Sequence, residues 1–114
     1  MKVYLAKYLL NFPMYGNVPD LSQNKESVDS FEITEEEGDL IDALFIDPTN
    51  ELCNAALDLG DYQYYDISQC KLLLEWITKV RNEDCMTSLQ SFLNRLESYL
   101  QYAVTNNTGI AIEL

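Results

Sequence analysis

Histidine is absent from this 114-residue chain, and basic residues are scarce, with seven Lys and Arg against nineteen Asp and Glu. Without an imidazole the chain cannot form a Ser-His-Asp or Cys-His nucleophile pair, a His-Glu-x-x-His zinc helix or a histidine general base. Cysteine is limited to Cys53, Cys70 and Cys85, an odd number with no Cys-x-x-Cys pair. That excludes a zinc knuckle and a two-bridge secreted framework, and each thiol reads as a small buried hydrophobe. The four glycines include no glycine-rich phosphate loop. No apolar run approaches the roughly 18 residues of a membrane span. The opening stretch Met1–Leu10 is broken by Lys7 before a signal-peptide core could form. A reducing cytoplasm is the expected home. What remains is ample for one domain: 47% of residues are hydrophobic and 23% charged, too apolar for a disordered acidic tail.

The few bases are also unevenly placed. Between Lys25 and Lys71 there is none, while residues 26–70 hold thirteen acids, so this segment carries −13 and the rest of the chain +1. A single-signed surface repels itself, and a Debye length of about 8 Å at physiological salt does not fully screen neighbouring acids. Such a surface also focuses field and speeds encounter with a basic partner. Nucleic acid and anionic membrane are repelled by it, and no small-molecule substrate or cofactor is implied. Basic surfaces belong above all to proteins that bind or cut nucleic acid.

Hydropathy patterning gives an order of strand, loop, helix, helix, strand, helix, helix, strand, hence one small α/β or α+β domain of three to four short strands covered by about four helices. Residues 2–10 have apolar side chains on both parities, the pattern of a central strand covered on both faces. Residues 11–30, with Pro13, Gly16 and Pro19, read as a long loop. Phe31-Glu32-Ile33 reads as a short strand before a helix opened by Thr34, with Glu37 completing a capping box. On that helix Leu40, Ile41, Leu44 and Phe45 form the apolar face, and Glu35, Asp39 and Asp42 lie opposite. Asp47-Pro48 starts a second helix that runs to Gly60. Tyr62–Tyr65 reads as a strand, followed by a helix over 68–81 with Leu72, Leu73, Trp76, Ile77 and Val80 inward. A longer helix over 86–104 buries Leu89, Phe92, Leu93, Leu96, Leu100 and Ala103, and Ile110–Leu114 ends as a strand. The two terminal strands are expected at the centre of the sheet, and crossovers through helix pairs are expected to make the strands parallel and right-handed in connection.

This order, the acidity, and an ending of helix, small turn and apolar strand from Leu100 to Leu114 resemble the barstar family, intracellular inhibitors of a secreted ribonuclease. Asp42-Ala43-Leu44-Phe45 is similar to that family's Asp-Ala-Leu-Trp stretch, which carries nuclease-binding acids. Ile46 stands where the family has a further acid, the stretch falls in the first of two helices, and the Tyr-Tyr-Gly motif is absent. The resemblance is therefore one of type, to small acidic bacterial immunity proteins, including those acting against toxins of contact-dependent growth inhibition. It implies no enzyme activity and a cognate basic toxin, a nuclease, as partner.

Two segments are the candidate partner-binding site. On the first helix, Glu35, Glu36, Asp39 and Asp42 form an acid face whose like-charge pairs each cost about 0.2–0.5 kcal/mol. The second, Asp61, Tyr62, Tyr64, Tyr65 and Asp66, joins rigid aromatics to flanking acids, the composition of interface anchors. The leading expectation is an antitoxin that covers a basic active site. Alternatives are a phage-encoded nucleic-acid mimic aimed at a host defence nuclease and a small carboxylate-based metal-dependent module. The last lacks an Asp-x-Asp-x-Asp-Gly loop, and no metal site is expected.

Overall fold

The structure, a computed structural model, describes residues 1–8, 14–23 and 26–114. Residues 9–10 of the expected first strand, and 11–13 and 24–25 of the expected loop, lie outside the described residues. The elements in chain order are β1 (Lys2–Ala6), β2 (Met14–Tyr15), β3 (Val18–Pro19), a 3₁₀ turn (Leu21–Gln23), β4 (Val28–Glu32), α1 (Glu35–Leu44) and α2 (Ile46–Cys53). There follow β5 (Tyr62–Tyr65), α3 (Ile67–Val80), a 3₁₀ segment (Asp84–Leu89), α4 (Gln90–Asn106) and β6 (Ile110–Glu113). It is an α+β domain, with a four-stranded sheet ordered β4-β1-β6-β5.

The terminal strands β1 and β6 hold the centre, as their two-sided apolar patterns require. The expected parallel direction is corrected: every neighbouring pair in the sheet is antiparallel. A single helix carries a chain to the far end of a sheet, whereas two successive packed helices return it to the end it left. α3 and α4 pack on one another between β5 and β6, so β6 re-enters antiparallel to β5.

Alternation along the strands sorts two cores. Val3, Leu5, Tyr65, Ile110 and Ile112 face the helices, where they meet Phe45, Leu73, Ile77, Phe92 and Leu96. Tyr4, Ala6, Tyr64 and Ala111 face the other way, and Leu21 with Val18 covers them. Part of the stretch read as loop is therefore structural. It forms the β2–β3 hairpin and the turn at Leu21 that close the second face, and it supplies the start of β4, which begins at Val28 rather than Phe31.

The helices follow their local chemistry. In α1 the Glu37 N–H donates to Thr34 Oγ1 at 3.1 Å and the Thr34 N–H to Glu37 Oε1 at 3.1 Å, the capping box read from sequence. Phe45 separates α1 from α2, because Pro48 has no N–H to offer the carbonyl four residues back and one continuous helix would leave that carbonyl bare. α2 stops at Cys53, earlier than the expected Gly60. Asn54 takes the left-handed conformation at φ 51, and the Asn50 amide holds the turn by accepting the Leu57 N–H at 2.9 Å and donating to the Leu57 carbonyl at 2.8 Å. In α3 the buried line is Cys70, Leu73 and Ile77, so Leu72, expected inward, is 36% exposed. The helix expected over 86–104 begins at Gln90, after the 3₁₀ segment that carries Leu89, and the full predicted stripe is buried across the two.

Gly38 sits buried within α1, and a Cβ there would stand 2.8 Å from Met1 Sδ, the free end of a flexible side chain. Gly38→Ala is therefore expected to raise stability by up to about 1 kcal/mol through helix propensity. Chemical denaturation reads this directly, and a loss of stability would mean Met1 is held in place.

Candidate functional site

Glu35, Glu36, Asp39 and Asp42 all stand exposed on α1, whose opposite side is fastened by Ile41 and Phe45, both wholly buried. Among the described residues no basic side chain lies within ion-pair distance of these four. The described bases that do pair are engaged elsewhere: Lys7 with Asp29 at 3.4 Å, Arg81 with Glu97 at 2.7 Å and Arg95 with Glu37 at 2.6 Å. Glu37 thus belongs to the scaffold. Burial would raise its pKa, but the Thr34 N–H and the Arg95 guanidinium outweigh that and hold the carboxyl below its usual range. Arg95 also donates to the Glu32 carbonyl at 3.1 Å and lies over the Phe31 ring at 4.5 Å, so one guanidinium ties α4 to β4 and to the start of α1.

The aromatic segment is divided by the period of the strand. Tyr62 and Tyr64 point to the face covered by residues 18–21, and Tyr65 points to the helices. The Tyr62 hydroxyl accepts the Leu21 N–H at 2.8 Å and donates to the Pro19 carbonyl at 2.8 Å, latching that cover onto β5. Burial, above all, raises the Tyr62 pKa, and it pushes Tyr64 up to about 12. Tyr65, read from sequence as an interface anchor, is corrected: it is completely buried, so its ring has no surface to offer a partner. Its hydroxyl has no hydrogen-bond partner among the described residues. Tyr65→Phe is therefore expected to keep or raise stability by about 1 kcal/mol, and a thermal melt shifted clearly downward would count against an unpaired hydroxyl. Asp66 is exposed, but its carboxylate accepts the Gln69 N–H at 2.9 Å as the N-cap of α3, a local task that accounts for an acid at this position.

Asp61 and Tyr62 do share a site, although it is not centred on α1. They line an open cleft of about 500 Å³ with Asp20, Ser22, Gln63 and Glu113. Asp20 and Glu113 lie outside the acidic segment, and only the fold brings them to Asp61. Glu113 accepts the Tyr4 hydroxyl at 3.0 Å, and burial followed by this bond pushes Tyr4 up to about 12. The acid face and the cleft are separate features, since α1 follows β4 and Asp61 precedes β5, the two opposite edges of the sheet.

Cys53 and Cys70 are buried, and desolvation pushes their thiols up to about 11 and about 12, so both stay protonated at neutral pH. Cys85, expected to be buried, is exposed in the 3₁₀ segment before α4. Among the described residues no three acidic or thiol side chains converge to hold a metal ion, and no helix is long and apolar enough to cross a membrane. Comparison of the chain with protein-family models, curated proteins and solved structures gives no match.

Proposed function

We propose that the chain is a cytoplasmic immunity protein that neutralises a basic toxin, a nuclease, by covering its active site with an acidic surface. The observation that carries this reading is the exposed row Glu35, Glu36, Asp39 and Asp42, unpaired by any described base, within a 45-residue stretch of charge −13. Like charges three and four apart on one helix destabilise it by about 0.2–0.5 kcal/mol each, and only the first turn is offset by the helix dipole. A basic partner relieves that repulsion. It would also be steered to the surface from a distance, which suits an inhibitor that must reach its target before the target reaches nucleic acid. The protein acts here as a stoichiometric ligand and not as an enzyme.

Growth rescue tests the proposal. Each nuclease toxin encoded beside the chain's gene is expressed with and without it, and nucleic-acid cleavage is assayed in vitro at increasing molar ratio. Survival and complete inhibition at one-to-one stoichiometry are expected. Death and full cleavage at tenfold excess of the chain overturn the reading.

With the partner in hand, Asp39→Lys combined with Asp42→Lys is expected to lower the association rate about tenfold or more at low salt and to flatten its salt dependence. The fold should survive, since both side chains are exposed. Stopped-flow association at several salt concentrations reads this out; an unchanged rate would show that the partner docks elsewhere.

A further inference from the structure

The two edges of the sheet are finished differently. At β5, register and the Leu114 N–H to Asp61 carbonyl bond turn the backbone groups of Asp61, Gln63 and Tyr65 towards β6, leaving Tyr62 and Tyr64 to face outwards. That edge is partly closed: Gln63 Nε2 donates to the Tyr64 carbonyl at 2.9 Å, and Gln63 Oε1 accepts the N–H of Ala56 from the preceding connection at 3.2 Å. At β4 the ladder to β1 is bracketed by the Lys7 N–H to Ser27 carbonyl bond at 2.8 Å and the Ile33 N–H to Met1 carbonyl bond at 2.9 Å. Asp29 and Phe31 therefore face β1, and the backbone groups of Val28, Ser30 and Glu32 face outwards. Arg95 occupies the Glu32 carbonyl. The N–H and C=O of Val28 and of Ser30, and the Glu32 N–H, have no partner among the described residues.

An open edge of this kind is a template for another strand. We propose that β4 is a docking rail on which an extended segment of the basic toxin, carrying Lys or Arg, adds as a fifth strand. The proposal rests on the inhibitor reading and names the part of the surface that holds the partner's backbone. Charge selects the occupant. Asp29 and Glu37 are balanced by Lys7 and Arg95, whereas Glu32 on the strand and Glu35 and Glu36 just beyond its end have no basic partner among the described residues. A strand rich in Lys or Arg would satisfy the outward amides and carbonyls and meet these carboxylates together. A second copy of the chain would bring two such acidic edges into contact, and like charges across a strand pair are destabilising. The acids thus keep the edge from pairing with its own kind.

The test uses the full chain, isotopically labelled, and a blocked hexapeptide alternating lysine and valine, with a glutamate–valine counterpart and a lysine–valine version N-methylated at every second residue. The lysine peptide is expected to slow amide exchange at Val28 and Ser30 at least about tenfold, while the other two leave it unchanged. Ser30→Pro should weaken the lysine peptide about tenfold or more without altering the melt, because the Ser30 N–H does not serve the β1 ladder. Should that variant fail to fold, the N-methylated peptide alone decides, since it keeps the charge and removes the donors. Equal binding of the methylated peptide, or shifts confined to α1, overturns the rail and leaves the acid-face reading standing. No binding of the lysine peptide also overturns the rail, and growth rescue then judges the inhibitor reading by itself. Protection of Val28 and Ser30 that rises with the protein's own concentration overturns it in favour of self-pairing.

Discussion

Removal of Ile110–Leu114 is expected to abolish cooperative folding. β6 lies between β1 and β5, so its loss cuts the sheet in two and leaves β5 with no neighbour in it. Ile110 and Ile112 are wholly buried in the helix-facing core and Ala111 in the other. Each isoleucine contributes about 1.5–3 kcal/mol by burial, and the ladders to both neighbours go with them. Domains of this size are stable by only about 5–15 kcal/mol in total. The truncated chain should show no thermal transition and collapsed amide dispersion. Removing Leu114 alone should lower the transition without abolishing it, because that residue lies just past β6 and contributes one backbone bond, to the Asp61 carbonyl, and partial packing on the core. A sharp melt after the five-residue truncation would mean that β1 and the helices hold together without the central strand.

Gly109→Ala is expected to cost about 3 kcal/mol, at the upper end for overpacking in a close-packed interior, and so to lower the melting temperature by roughly 15 °C. A Cβ at Gly109 would overlap the Tyr64 hydroxyl and stand 2.5 Å from the Tyr65 carbonyl oxygen. The second of these is backbone of β5, which cannot retreat without loosening the β5–β6 pair, and the Gly109 carbonyl is itself fixed by the Ala6 N–H at 3.1 Å. The contrast with Gly38 is informative: there the obstacle is the mobile end of Met1, and the same substitution is expected to stabilise. A Gly109→Ala protein melting within a few degrees of the parent would show that β6 can shift as a unit.

What could be read in the residues depended on whether the relevant interaction was local. The stripe Leu89, Phe92, Leu93, Leu96, Leu100 and Ala103 repeats at helical spacing, and a buried face follows from that spacing alone. Thr34 and Glu37 lie three apart, so their reciprocal cap was legible too. Strand direction was not, because it depends on how helix pairs return the chain. The role of residues 18–21 was hidden for a similar reason, since a cover for the second face of the sheet looks like loop until Tyr4, Tyr64 and Ala111 are assembled beneath it. In Tyr62–Tyr65 alternation separates Tyr65 from its neighbours, but which side meets the helices is decided by pairing with Ile110 and Ile112. The exposed acids of α1 were legible from the helical wheel, whereas Asp20, Asp61 and Glu113 meet only through the fold, and Arg95 is 58 residues from the Glu37 it holds.

The pairing of β1 with β6 also constrains how the protein is made. Lys2 stands opposite Glu113, so β1 leaves the ribosome before the other described elements and waits for β6, which follows all of them. Until then the apolar residues of β1 have β4 on one side and nothing on the other, and the helices have only part of the sheet to settle on. Closing so long a loop is slow relative to local helix formation. The sheet therefore closes only once β6 has emerged, and a nascent chain halted before Ile110 has helices and a hairpin but no completed sheet.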